Sequence, residues 1–210
     1  MGTDSQRFRR RILQALLGSA IIVAGLSSYL AVLRWRGPAA AVVTQTAWDR
    51  LIPFQPAWLY VYLAPYVAAP VLLGALHCDT FWWFLKRALL VLAISLVIFS
   101  VVPTRTVRPP TDELRDGWTA EFYRAMVAVD EPPANAAPSL HVSLTCLLAI
   151  ALLHDFPRWW AVIIGIIALV WLATLFTWQH HIVDVATGAL LGIFTSLPVR
   201  IRGMTSNHSS

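Results

Sequence analysis

Six apolar runs, Ile12 to Leu33, Trp58 to Leu76, Phe84 to Val102, Leu140 to Leu153, Trp159 to Thr177 and Ile182 to Val199, are separated by stretches that hold most of the charge and proline. About 20 apolar residues in helical form cross the hydrocarbon of a bilayer. The pattern predicts an all-α polytopic membrane protein with six transmembrane helices and one membrane domain over residues 12–199. A basic segment, 1–11, precedes that domain, and a tail, 200–210, follows it. The fourth run is the shortest. It reaches spanning length if Ser139 and His141 at its start face a protein-lined cavity rather than lipid; the alternative is a re-entrant segment.

Composition removes the soluble alternative. Hydrophobic residues make up 58% of the 210 and charged residues only 13%, more apolar surface than a soluble core of this length can hide. The net charge of +5 comes from arginines beside apolar segments. There they serve topology and contact with anionic lipid, so nucleic acid is not an expected partner. The run Arg7, Arg9, Arg10, Arg11 could open a signal peptide, but no clean small-residue cleavage site follows and the apolar stretch is too long, so a retained first helix is expected. Placing the N-terminus in the cytoplasm puts nine of the 16 Lys and Arg residues inside, including Lys86, Arg87, Arg158, Arg200 and Arg202. An even number of spans returns the C-terminus to the same side. Trp82, Trp83, Trp159, Trp160 and Trp178 fall at span ends, as an aromatic belt requires. Cys78 and Cys146 lie in different segments and read as packing residues.

This topology brings three polar patches to one face. The loop 103–138 lies outside, and the fourth and sixth spans both begin there, at Pro138-Ser139-Leu140-His141 and at His180-His181-Ile182-Val183-Asp184. Ionisable residues at membrane depth are expensive and mark function. His180 and Asp184 stand four apart, so on a helix they share a side, and the carboxylate can fix the imidazole tautomer and free its other nitrogen for attack. A buried ion pair between helices is the structural alternative. His181 is rotated by about 100° from that side and reads as a neighbour with an open role. His141 can supply a complementary acid. Ser139 and the helix N-terminus behind Pro138 form an end that favours phosphate. Arg108, before Pro109 and Pro110, can hold two phosphate oxygens at once. Arg105 is a second candidate, with headgroup binding as its alternative.

Taken together, Arg108-Pro109, Pro138-Ser139-Leu140-His141 and His180 with Asp184 resemble the three-part signature of the type 2 phosphatidic acid phosphatase superfamily, which includes vanadium haloperoxidases. The resemblance implies six spans with an extracytoplasmic site, His180 as a phosphorylated nucleophile oriented by Asp184, His141 as the acid for the leaving group, and Arg108 and Ser139 as phosphate ligands. No cofactor or metal is implied. The usual first-motif lysine falls at Val101, the third-motif arginine at Thr174 and the second-motif glycine at Leu140. The double histidine before Ile-Val-Asp, and the stretch Ile52-Pro53-Phe54-Gln55-Pro56, are similar to the inositol phosphorylceramide synthase branch, which implies transfer to an alcohol beside hydrolysis.

The expected partners are therefore a membrane lipid phosphate and the bilayer, in a bacterial cytoplasmic membrane; oligomeric state is not legible. Two other readings compete: a zinc-dependent membrane hydrolase using His141, His180, His181 and Asp184 as ligands, and a non-enzymatic lipid-binding or transport protein. In the loop 103–138, Trp118, Phe122 and Tyr123 stand at near-helical spacing, which predicts a short interfacial helix. The tail after Arg202 is expected to be disordered, and Asn207-His208-Ser209, a glycosylation pattern, falls on the cytoplasmic side.

Overall fold

The computed structural model describes residues 2–111, 114 and 117–197. Arg200, Arg202, the tail and Asn207-His208-Ser209 lie outside the described residues. Helix α1 is Gly2–Arg36, α2 Leu59–Ala75, α3 Cys78–Val101, α4 Trp118–Val129, α5 Leu140–Asp155, α6 Trp160–Phe176 and α7 Ile182–Ser196. Strands β1, Val42–Val43, and β2, Thr104–Arg105, pair in parallel.

Chain chemistry sets the boundaries. Nothing interrupts α1 between the basic run and Gly37-Pro38, so it takes in Arg7 to Arg11 and extends beyond the expected 12–33 at both ends. Helix α3 starts at Cys78, six residues before the predicted Phe84, with Asp79 in its first turn, where the helix dipole favours a carboxylate. The interfacial helix expected around Phe122 is α4. Its Tyr123 is fully buried while Trp118 is 87% exposed.

Among the described residues, four helical segments are long and apolar enough to cross a membrane: Asp4–Ala39, Pro56–Ala75, Cys78–Val101 and Pro157–Phe176. Helices α5 and α7 are shorter apolar helices of 16 and 15 residues. Apolar side chains face outward, Val67 at 80%, Val97 at 62% and Phe194 at 65% exposure, an arrangement that suits lipid and not water.

Helix α5 sits at the centre, against α3, α6 and α7. Its Leu147, Leu148 and Ala151 join Leu73 of α2, Leu76 just after it, and Phe81, Phe84, Leu85, Ala88 and Val91 of α3 in the main apolar cluster. At that end Asp155 accepts the His77 N–H at 2.6 Å and the Thr80 hydroxyl at 2.7 Å, tying the turn between α2 and α3 to the end of α5. At the other end α7 meets α5 through glycine. A Cβ on Gly188 would stand 2.5 Å from the Ser139 carbonyl oxygen, and one on Gly192 would stand 2.8 Å from the Cys146 Cβ. Small residues four apart let helices approach this closely in a membrane.

Gly188→Ala is therefore expected to lower stability in detergent by about 1–3 kcal/mol, because the α5 backbone must give way. Gly165→Ala, where nothing stands within 4 Å of the added carbon, should not. Thermal unfolding of the two variants beside the parent protein checks the contrast.

Candidate active site

Three segments converge at the starts of α5 and α7. The chain leaves α6 through Thr177 and Trp178, whose φ of 52° is left-handed. The Thr174 carbonyl accepts both the Gln179 N–H at 3.1 Å and the His180 N–H at 3.2 Å. This turn holds His180 before the helix. Helix α7 starts only at Ile182, with His181 as N-cap, so the expectation that His180 and Asp184 share a helix face is corrected. Asp184 is instead the third residue of a capping box and accepts the His181 N–H at 2.8 Å.

The Asp184 side chain is fully buried. Its Oδ2 also accepts the Thr44 hydroxyl at 3.2 Å and lies 3.7 Å from His180 Nδ1. Thr44 is delivered by the β1–β2 pair, where the Arg105 carbonyl accepts the Thr44 N–H at 3.1 Å. The Ser139 N–H donates to the Asp184 carbonyl at 3.0 Å, and Ser139 Oγ caps α5 by accepting the Val142 N–H at 3.3 Å.

A cavity of about 660 Å³ opens beside this junction, and Arg108, Asp130, Asn135, His141, Gln179 and His180 line its polar end. His141 stacks on Tyr62 at 4.5 Å between ring centroids, with Tyr66 at 5.2 Å. Three buried nitrogens of lining residues have no hydrogen-bond partner among the described residues: Nε2 of His141, Nδ1 of His180 and Nε of Arg108. The terminal nitrogens of Arg108 are taken by Asp130, one on its carboxylate and one on its carbonyl at 3.0 Å. Burial works against the Arg108 charge, but Asp130 outweighs it and raises the pKa. Asp130 in turn accepts the Tyr29 hydroxyl at 2.8 Å.

The structure thus brings His141, His180 and Arg108 to one cavity, with Asp184 behind His180. Ser139 and Arg105 stand outside the lining. Ser139 is fully buried as the α5 cap, and Arg105 is exposed and contributes its carbonyl. His181 is 2% exposed; its Nε2 accepts the Val107 N–H at 3.0 Å, which fixes the chain next to Arg108. The stretch Ile52 to Pro56 packs on the turn before His180, where the Trp178 indole donates to the Ile52 carbonyl at 3.2 Å and Phe54 lies edge-on to Trp178 and Tyr123. Among the described residues, no three His, Cys, Asp or Glu side chains are grouped to hold a metal ion.

Thr44, Asp130 and Asp49 escaped the sequence reading. Asp130 reads as one more acid in a charged loop, with no local sign that it meets Arg108. Asp49 does have a local signature, Thr46-x-x-Asp49. Its carboxylate accepts the Thr46 N–H at 2.7 Å, the Thr46 hydroxyl at 2.6 Å and the Ile182 N–H at 2.8 Å, and so caps α7 from a distant loop.

A family model described as the PAP2 superfamily matches residues 29–197, from the last turns of α1 to just beyond α7. The chain belongs to the PAP2 superfamily. No curated protein and no solved structure matches it. Membership makes it an integral membrane enzyme of the phosphatase type, with lipid phosphates as its general substrate class. This PAP2 protein replaces two expected basic side chains with other chemistry. Val101 is 69% exposed on α3, and Thr174 is fully buried and holds His180 through its carbonyl.

Burial pushes the Asp49 carboxyl up, but hydrogen bonds from the Thr46 hydroxyl, the Ile182 N–H and the Thr46 N–H outweigh that and hold it below the usual carboxylate range. A depressed folded pKa stabilises fully above the unfolded value of about 3.9 and loses that contribution as pH falls through the folded value. Asp49→Asn should therefore melt below the parent protein near neutral pH, and the gap should narrow on acidification below about pH 4. Melting curves of both proteins across that range check it.

Proposed function

We propose that this PAP2 protein is a lipid phosphatase or phosphotransferase that works through a phosphohistidine on His180, on the extracytoplasmic face of a six-span fold. The observation that carries the reading is the convergence of His141, His180 and Arg108 on one polar cavity end, with Asp184 Oδ2 3.7 Å behind Nδ1 of His180 so that Nε2 is left for the substrate. Helices α5 and α7 count as the fourth and sixth spans. At about 24 and 22 Å they fall short of a bilayer core of about 30 Å, and local thinning with protein cover at their polar ends makes up the difference.

Asp184 beside Nδ1 of His180 orients the ring with Nε2 toward phosphorus. The Nε2–P bond forms as the ester P–O bond breaks, and the departing oxygen takes the proton of His141 Nε2. Water or an alcohol then returns a proton to His141 as its oxygen bonds to phosphorus and the N–P bond breaks. Arg108, held at its terminal nitrogens by Asp130, presents Nε to the charge that develops on the phosphoryl oxygens. Ser139 and Arg105 complete the proposed phosphate neighbourhood, Ser139 through the start of α5 and Arg105 through the strand that positions Thr44. The double histidine and the Ile52 to Pro56 stretch support an alcohol acceptor, as in the inositol phosphorylceramide synthase branch.

Purified protein incubated with phosphatidic acid, isoprenyl phosphates and phosphatidylinositol, with and without alcohol acceptors, tests the reading. At least one substrate should give free phosphate or a transferred product, and His180→Ala should reduce it by about a thousandfold or more. His141→Ala should cost about a hundredfold or more on alkyl esters and much less on aryl phosphates, whose leaving group needs no proton. Activity that survives chelation separates this reading from a zinc hydrolase. If no substrate yields a product that His180→Ala loses, the enzymatic reading fails.

A further inference from the structure

The cavity continues far below its polar end, and the three helices around it agree on how far. Its lining runs from Leu30 to Gly18 on α1, from Tyr62 to Leu73 on α2 and from Leu92 to Phe81 on α3. The steps are twelve, eleven and eleven residues, a depth of about 16 to 18 Å at the helical rise. On α5 the lining reaches from Leu140 to Leu148. Polar lining residues stop at Thr145, one turn below His141, and everything deeper is apolar. The bottom is closed by Leu73, Phe81, Phe84, Leu85 and Leu148, all members of the main packed cluster.

We infer that this cavity is a slot for a hydrocarbon chain of the lipid substrate, drawn out of the bilayer into the bundle and measured against that floor. The inference rests on the lipid-phosphate reading above and adds a length to it. A molecule that fills both ends must carry an anionic group at Arg108 and His180 and an unbranched or lightly branched apolar chain of about 16 Å. At about 1.25 Å of advance for each C–C bond of about 1.5 Å, that is about 13 carbons. An apolar cavity of this size holds water poorly, because water there lacks polar partners. Shorter chains leave apolar wall uncovered, and longer ones meet the floor, so chain length becomes a selected property.

Two substitutions move the floor in opposite directions. Ala69 lies on α2 four residues above Leu73 toward the polar end, so Ala69→Phe raises the floor by about 6 Å, about five carbons. Leu73→Ala lowers it and leaves room for about two more carbons.

The test uses saturated n-alkyl phosphates of about 8 to 18 carbons, delivered as monomers from cyclodextrin, with kcat/KM read for each. For the parent protein kcat/KM should rise about fourfold per methylene and break at about 13 carbons. The break should move shorter in Ala69→Phe and longer in Leu73→Ala. If Ala69→Phe does not fold, Gly25→Leu supplies the block, since its added Cβ meets Leu92 only at 3.5 Å. A profile without a break, or one break shared by all variants, overturns the slot. Thermal shift with the same series reads chain binding without turnover, and a chainless aryl phosphate reads the chemistry without the chain. A break in binding with neither substrate turned over keeps the slot and removes the enzymatic reading; turnover of both without a break does the reverse.

Discussion

The buried carboxylate of Asp184 is the constraint around which the rest of the site is arranged. A charge removed from water is tolerated only when its lone pairs find donors. Here they reach Oδ2, from the His181 backbone and from Thr44, with the His180 ring alongside, while Oδ1 is buried without a hydrogen-bond partner among the described residues. The two histidines come from the turn before α7 and Thr44 from a distant part of the chain. Thr44 brings the β1–β2 pair, and that pair carries the segment that ends in Arg108. The Asp184 backbone adds a fourth tie by accepting the Ser139 N–H, which fixes where α5 begins and hence where His141 stands. One carboxylate and its own peptide unit thus set the relative positions of both histidines.

That junction is drawn tight by what is missing as well as by what bonds. Gly188 has no side chain to separate α7 from the Ser139 carbonyl, and the Ser143 hydroxyl donates to the carbonyls of both Ser139 and Gly188, at 2.9 and 2.8 Å. Two short helices that would be poorly anchored singly become one unit. Their polar starts can then sit at depth without exposing backbone to lipid.

Much of this was legible in the chain because bilayer physics writes it plainly. Apolar run length locates α1, α2, α3 and α6, and the cost of burying histidine and carboxylate singles out His141, His180 and Asp184. What was not legible depended on distance or on local turns. The left-handed Trp178 and the Thr174 carbonyl lift His180 off the helix, a detail that spacing alone reads the other way. Arg108 meets Asp130 across 22 residues and a helix, and Asp49 caps α7 from a loop 133 residues away. Helices α5 and α7 begin where their apolar runs begin, at Leu140 and Ile182, and differ from them at the opposite ends, where α5 takes in His154 and Asp155 and α7 stops at Ser196.

The pairing of Arg108 with Asp130 has a consequence for what the site ignores. A bare guanidinium in a half-open pocket would collect any phosphate or sulfate present at the membrane surface. One that already carries a carboxylate contributes almost no net charge to the pocket, so a small anion arriving alone finds little electrostatic reward. If the cavity takes a lipid chain as proposed, selection then rests on the apolar mass a molecule brings and not on its charge alone.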